Sequence, residues 1–303
     1  MRIALEFSGF YRFQAAKALE LSEVMKGVTV WDFKSENSPE GSVDRDYEDA
    51  GQRNNLHTHS QRNAVSVLIV MPTYNEGENL GPTLAHVFSK NPQVSIVVVD
   101  DDSPDGTGRV ADFLAQGDDR VHVIHRHAKE GLGPAYIEGF HWGLQQGYDV
   151  ICEMDMDGSH RAEDLTRMLA VLNRNPSIDL VIGSRRIEGG QTINWSPTRN
   201  AISRLGSWYA RHMLALPVHD MTAGFRAYKA EILRAIDLDG INANGYVFQI
   251  DMTRRVAAAG GRIREVPIAF VERTRGKSKM TQSIVVEAML KVTLWGIRRL
   301  CSK

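Results

Sequence analysis

From residue 64 onward, short apolar runs alternate with longer stretches of mixed polarity. The runs VSVLIVM (65–71), VSIVVVD (94–100), VHVIHR (121–126), YDVICEMD (148–155) and IDLVIGS (178–184) have strand length and almost no polar interruption. Such strands suit burial on both faces, and the segments between them are long enough for crossover helices. The pattern therefore predicts an α/β domain with a mainly parallel central sheet. A helix is expected over 161–174. The first 63 residues read differently. Residues 35–63 are polar and nearly free of large apolar side chains, so they cannot offset the entropy of ordering and are expected to be a disordered linker. The predicted organisation is an N-terminal extension over 1–63, largely linker, followed by one large domain over 64–303.

Composition narrows the class. The 303 residues are 43% hydrophobic and 24% charged, an ordinary globular balance. Cys152 and Cys301 have no paired spacing, which argues against a disulfide framework or a zinc cluster. No apolar run has the ~20 residues of a membrane span, and no signal peptide is expected at the N-terminus. The formal net charge of −1 conceals two opposed halves. Residues 64–184 carry 8 Lys+Arg against 18 Asp+Glu, whereas residues 185–303 carry 20 against 9. An acidic half can hold divalent cations and a basic half can hold phosphates or an anionic membrane surface. The basic residues lack interleaved aromatic platforms, so a nucleic-acid role is not expected.

In parallel sheets ligands bind beyond the carboxyl ends of the strands. After the first run comes Pro72-Thr73-Tyr74-Asn75-Glu76, after the second Asp100-Asp101-Asp102, after the fourth Asp155-Met156-Asp157, and after the fifth Gly183-Ser184-Arg185. Carboxylates gathered at one sheet edge repel one another unless a cation or donors are present. An isolated Asp-x-Asp suits capping better, and Asp157 and Ser159 stand where they could cap the helix over 161–174. The neighbouring acidic strand ends reverse that preference. Glu153, two residues before Asp155, is expected to be structural, and His160 is open between helix-start packing and support of the acidic pair.

Four blocks, MPTYNEGENL, VVVDDDSPDGTG, EMDMDGSH and VIGSRRIEGG, resemble in order the signatures of family 2 glycosyltransferases, whose fold is GT-A, a Rossmann-like α/β fold. NWSPTRNAIS, DMTAGFRAY and FVERTRGKSKM resemble more narrowly the polyprenol (dolichol) phosphate mannose synthases. The resemblance covers about residues 65–300. It implies an inverting transfer of mannose from GDP-mannose to a polyprenyl (dolichyl-type) phosphate. It also implies that Pro72, Tyr74, Glu76 and Asp101 hold the base and ribose. Asp155 and Asp157 would carry Mg²⁺ or Mn²⁺, with Ser159 at the position of a third ligand. Arg185, Arg199 and Ser203 would hold the acceptor phosphate. Arg273 would reach the phosphates, and Lys279 would lie in a Gly-containing loop closing over the donor. Arg199 and Ser203 are four apart on an expected helix, hence on one face. The acceptor phosphate is already ionised near pH 7, so the attack needs positioning rather than a general base.

The stretch 281–300 is apolar around most of its circumference, with Glu287, Lys291 and Arg298 on a narrow polar stripe, and 202–216 has a similar character. Both are expected to be amphipathic interface helices, with Trp208, Trp295, Arg298, Arg299 and Lys303 in the headgroup zone. A core or dimer role for them is the alternative. The expected location is peripheral, at the cytoplasmic face of the cell membrane, with a membrane-protein partner as a further expectation. Two other functions stay open on the residues: a polyprenyl-phosphate glucosyltransferase using UDP-glucose, and a non-catalytic nucleotide-sugar-binding partner of a membrane enzyme.

Overall fold

The computed structural model describes residues 65–243, 245–272 and 282–301. The linker reading of residues 1–63 lies outside them, as do Arg273, Lys279 and Lys303.

The main sheet has seven strands in the order β3-β2-β1-β4-β7-β5-β8. These are β1 (Val67–Thr73), β2 (Val94–Asp100), β3 (Val121–His125), β4 (Val150–Glu153), β5 (Leu180–Ser184), β7 (Arg226–Lys229) and β8 (Ile263–Pro267). The helices that connect them are α1 (Gly77–Lys90), α2 (Thr107–Gly117), α3 (Leu132–Gln145), α4 (Ala162–Arg174), α5 (Pro197–Leu214), α6 (Ala230–Ala235) and α7 (Tyr246–Ala258). α8 (Gln282–Cys301) follows, and β6 (Gln191–Ile193) pairs with β9 (Ala269–Val271) in a separate two-stranded sheet.

All five expected runs form parallel strands, with β1 flanked by β2 and β4 in register Thr73↔Asp100 and Val70↔Glu153. The near-continuous apolar character follows from two cores. Leu68 and Val70 face α3 and the helices beyond it, while Val67, Ile69 and Met71 face α1 and α4. Helix α3 lies close to β1. A β-carbon at Gly139 would run into Val70, and one at Gly143 would come within 2.6 Å of Leu68.

One strand departs from the sequence pattern. β7 is antiparallel to both β4 and β5, and its RAYK sequence is too short and polar to register as an apolar run. Because β7 runs backwards, its beginning lies at the edge where β1, β2, β4 and β5 end. The segment 220–225 thereby reaches the same edge as the acidic strand ends.

Helix α5 opens with Ser196 as N-cap, its hydroxyl accepting from the Arg199 N–H at 3.3 Å, and with Pro197 in the first turn. It packs on α8, where the Tyr209 and Thr293 hydroxyls meet at 2.6 Å and Gly296 abuts Met213. Helix α8 has one face buried in the protein and one face exposed. Val292 is buried and Trp295 packs on the core beneath Arg254, whereas Leu290, Leu294, Ile297 and Leu300 are exposed. Trp295 is thus anchored in the protein rather than presented outward, because it fills the space between α7 and α8. Trp208 on α5 is 57% exposed.

Candidate active site

The acidic wall begins where β4 ends. The Asp155 N–H donates to His160 Nδ1 at 3.0 Å, the Tyr136 hydroxyl donates to Asp155 Oδ1 at 3.1 Å, and the Ser159 N–H donates to Asp157 Oδ1 at 3.0 Å. Helix α4 has Arg161 as its N-cap and no side-chain cap, so Asp157 and Ser159 do not cap it. Ser159 is buried and supports Asp157 through its backbone, whereas the cleft wall here consists of Asp155, Met156, Asp157 and His160.

His160 combines its two expected roles. Its ring stacks on Phe225 at 4.6 Å, with Phe270 edge-on at 5.3 Å, while Nδ1 accepts from Asp155. Burial lowers its pKa, which keeps the imidazole neutral with Nδ1 as an acceptor. Burial, then the nearby Asp155 charge, pushes the Tyr136 hydroxyl well above its ordinary value, so it remains a donor.

Glu153 is the last residue of β4 and points into the protein, whereas Asp155 lies beyond the strand end. It is fully buried, accepting from the Tyr228 hydroxyl at 2.7 Å and from Gln249 Nε2 at 2.5 Å, and it pairs in register with Arg226. Burial raises its pKa to about 7, against the opposing charge of Arg226. Gln249 itself lines the cleft.

Pro72, Tyr74, Glu76 and Asp101 all line one cleft of about 390 Å³. Asp101, expected to hold base or ribose, is already engaged by the protein. Its oxygens accept from Arg126 Nη1, from the Glu130 N–H at 3.2 Å and from the Gly131 N–H at 3.1 Å. The reason is charge. The Arg126 side chain is buried and must be paired, which it achieves with Asp101, Glu130 and Glu138. Asp101 thereby shapes the 126–131 loop, which brings Lys129 over the Tyr74 ring at 3.7 Å.

On the basic wall, Arg185 and Arg199 differ. Arg185 is buried, with Nε and Nη2 each donating to Asp220 at 2.7 Å and Nη2 also to Thr222 at 3.0 Å. Burial disfavours its charge, but Asp220 outweighs burial and raises the pKa. Asp220 and His219 are held in turn by their N–H groups, which donate to Glu265 at 2.9 Å. Arg199 lies over the Trp195 ring at 4.0 Å and pairs through Nη1 with Glu272, while its Nε is buried without a partner among the described residues. One turn along α5, the Ser203 hydroxyl is also buried and unpartnered, as is the Trp195 indole N–H. Arg186 donates to Asn200 at 2.6 Å, and burial, then Arg185, lowers its pKa to about 10.

The polar cleft continues into a second lobe. Trp195, Arg199, Thr222 and Tyr246 line both, and the lobe's further walls include Ile202, Ser203, Tyr209, Ile250, Met289 and Val292. It is bounded by α5, α7 and α8 and is largely apolar. The structure thus brings Asp155, Asp157, Arg185 and Arg199 to one cleft and Ser203 to its apolar extension.

Among the described residues no three His, Cys, Asp or Glu side chains converge as a metal cage. Two adjacent carboxylates on a cleft wall nevertheless fit Mg²⁺ or Mn²⁺, which take hard oxygen ligands and complete their shells with phosphates and water.

Several wall residues carry no sequence motif of this chemistry. Lys129 follows the third strand, the strand end not counted as chemical. Trp195 and Phe270 stand inside the blocks NWSPTRNAIS and FVERTRGKSKM without a role assigned to them there, and Tyr246 and Gln249, from one helix, lie outside every block.

Residues 68–237 match Glycosyl transferase family 2. An undecaprenyl-phosphate mannosyltransferase of Micrococcus luteus is 55% identical over 231 residues, covering 76% of this chain and 94% of that protein. A polyprenol monophosphomannose synthase of Mycolicibacterium smegmatis is 51% identical over 232 residues, covering 76% of this chain and 87% of that protein. Among solved structures, glucosyl-3-phosphoglycerate synthase from Mycobacterium tuberculosis, in complex with Mn²⁺, UDP-glucose and glycerol 3-phosphate, matches with a TM-score of 0.54 at 18% identity. That match covers 76% of this chain and 79% of that one, a likeness of fold. With the sheet order, the carboxylate edge and the matched residues in agreement, this chain belongs to glycosyl transferase family 2, on a GT-A fold.

Proposed function

We propose that this protein transfers mannose from GDP-mannose to a polyprenyl phosphate with inversion at the anomeric carbon. Relatives at 51–55% identity carry the names of polyprenyl-phosphate mannosyl enzymes. The single observation that carries the reading is that a polar cleft with a carboxylate wall and an apolar lobe share Arg199. A lipid-borne phosphate needs such a junction, with a cation for its head and an apolar path for the first isoprene units.

Tyr74, Glu76 and Lys129 bound the part of the cleft that takes the nucleoside, with Pro72 beneath and Asp101 shaping the loop. Asp155 and Asp157 would hold a divalent cation, which when bound would neutralise charge on the diphosphate. Arg199 and Ser203 receive the acceptor phosphate, and Arg273 and Lys279 add positive charge from the following segment. An ionised phosphate oxygen attacks the anomeric carbon, the bond to the diphosphate breaks, and GDP departs. No proton need be removed by a side chain. Arg185 contributes through its fixed charge, since Asp220 and Thr222 take two of its nitrogens.

No described helix is long and apolar enough to cross a membrane. The exposed apolar residues Ile202, Leu205 and Trp208 on α5 and Leu290, Leu294 and Ile297 on α8 support seating on a bilayer surface, at the face where the nucleotide sugar is available. The test is mass spectrometry of lipid product formed from a defined polyprenyl phosphate with GDP-mannose or UDP-glucose. A hexosyl phosphoryl lipid from GDP-mannose supports the reading. Product from UDP-glucose alone replaces it with a glucosyl transfer, and no product from either leaves a binding role.

A further inference from the structure

A row of rings joins the two walls of the cleft. His160, whose Nδ1 accepts from the Asp155 N–H, meets the edge of Phe270 at 5.3 Å, and Phe270 meets Trp195 edge to face, also at 5.3 Å. The Arg199 guanidinium lies 4.0 Å from the Trp195 ring centre, and that of Arg185 lies 5.2 Å from the same ring. We propose that Trp195, at the end of this row, is the positioning residue that presents Arg199 to the acceptor phosphate at a fixed span from Asp155 and Asp157. The inference rests on the mannosyl transfer proposed above.

Which part of a guanidinium is engaged decides what it can still bind. An ion pair takes up its in-plane N–H groups, as Asp220 does with Arg185. Stacking on an indole holds the group by its face and leaves the N–H fork for a phosphate. Among the described residues Arg199 has one in-plane partner, Glu272, and its Nε has none. An arriving phosphate would compete with the Glu272 carboxylate, since two anions on one fork repel. After that exchange Trp195 is what keeps Arg199 in place. The ring also lies against both guanidinium groups, and its π face offsets part of their mutual repulsion.

The test measures transfer kinetics in detergent with a short-chain polyprenyl phosphate, varying each substrate in turn. Trp195→Leu should raise KM for the acceptor about tenfold, and Trp195→Phe, which keeps a weaker face, about threefold. KM for the nucleotide sugar should stay within about twofold in both variants, as expected if cation–π stacking serves only the acceptor side. Glu272→Gln should shift the acceptor KM the other way, downward, because it removes the competing charge. If Trp195→Leu fails to fold by circular dichroism, Trp195→Phe and Glu272→Gln carry the test. An unchanged acceptor KM in the Trp195 variants, an equal rise for both substrates, or a raised acceptor KM in Glu272→Gln overturns the proposal. Absence of any lipid-linked product from the unsubstituted protein instead overturns the functional reading, and the proposal with it.

Discussion

On the acidic wall Asp155, Asp157 and Asp101 receive hydrogen bonds from backbone amides, a tyrosine hydroxyl and a buried arginine. On the basic wall Arg199, Ser203 and Trp195 hold buried donors without partners among the described residues, while on the acidic edge such atoms are Thr73 Oγ1 and Asp100 Oδ1. Both walls bury polar groups, which costs free energy unless those groups are satisfied. The difference lies in where the satisfaction comes from. The carboxylates are oriented by strand ends and their first turns, so that side is assembled by the fold. On the proposed function the orphaned donors take an anion, so that side is completed by its ligand. Arg185 is the exception that clarifies the rule. Asp220 already supplies its anion, which makes it a fixed part of the wall.

The sharpest way to break the contrast is to remove one member from each side. Asp157→Ala should lower the transfer rate by about 10²–10³-fold, as expected for loss of a group that stabilises developing charge. Chelation of divalent cations should have a comparable effect, and Mg²⁺ or Mn²⁺ should restore activity in a radiolabelled mannose assay. Arg199→Ala should lower kcat/KM for the acceptor by about 10²-fold, the range for truncating one side of a desolvated charge pair. Its effect on nucleotide-sugar binding, read by calorimetry, should be small.

Asp220→Asn tests whether Arg185 is part of the assembled wall. It leaves a buried guanidinium uncompensated and should cost about 3–5 kcal/mol in urea unfolding. The pH dependence has a definite sign. Despite burial, Arg185 holds the Asp220 carboxyl below its ordinary value. Its stabilisation is therefore fully present above the unfolded value of about 3.9 and is lost as pH falls through the lower folded value. Asp220→Asn should flatten that acid limb of a stability profile.

Gly139→Ala probes the scaffold alone, because an added methyl group meets Val70 beneath the acidic wall. A loss of about 1–3 kcal/mol is expected in thermal unfolding, from overpacking. The smallest effect on stability belongs to Leu294→Glu on the exposed face of α8, within about 0.5 kcal/mol. That substitution should nevertheless reduce co-flotation with anionic liposomes, and unchanged flotation would remove α8 from the membrane contact.

Much of the acidic side was legible in the chain because parallel strands announce themselves as apolar runs and their ends point to one edge. Val94–Asp100 begins and ends where the run does, and the helix expected over 161–174 is α4, Ala162–Arg174. The antiparallel β7 was not legible. Its four residues carry Arg226 and Lys229, and the strand exists because β4 and β5 leave a gap that backbone hydrogen bonds fill. The basic side was legible in residue type only. Arg185 and Arg199 read alike as phosphate ligands, yet one is committed to Asp220, 35 positions away, and the other is stacked on Trp195.

The five apolar strands, the carboxylates at their ends and the opposed charges of the two halves follow from local pattern, since periodicity and strand termini depend on neighbouring residues, whereas the order of the strands in the sheet does not. Tertiary structure alone decided which cations are satisfied. Asp220 beside Arg185, Glu272 beside Arg199 and Asp101 beside Arg126 come from distant segments, and burial makes the pairing of Arg126 and Arg185 obligatory, so only the assembled fold shows which donors remain for a ligand.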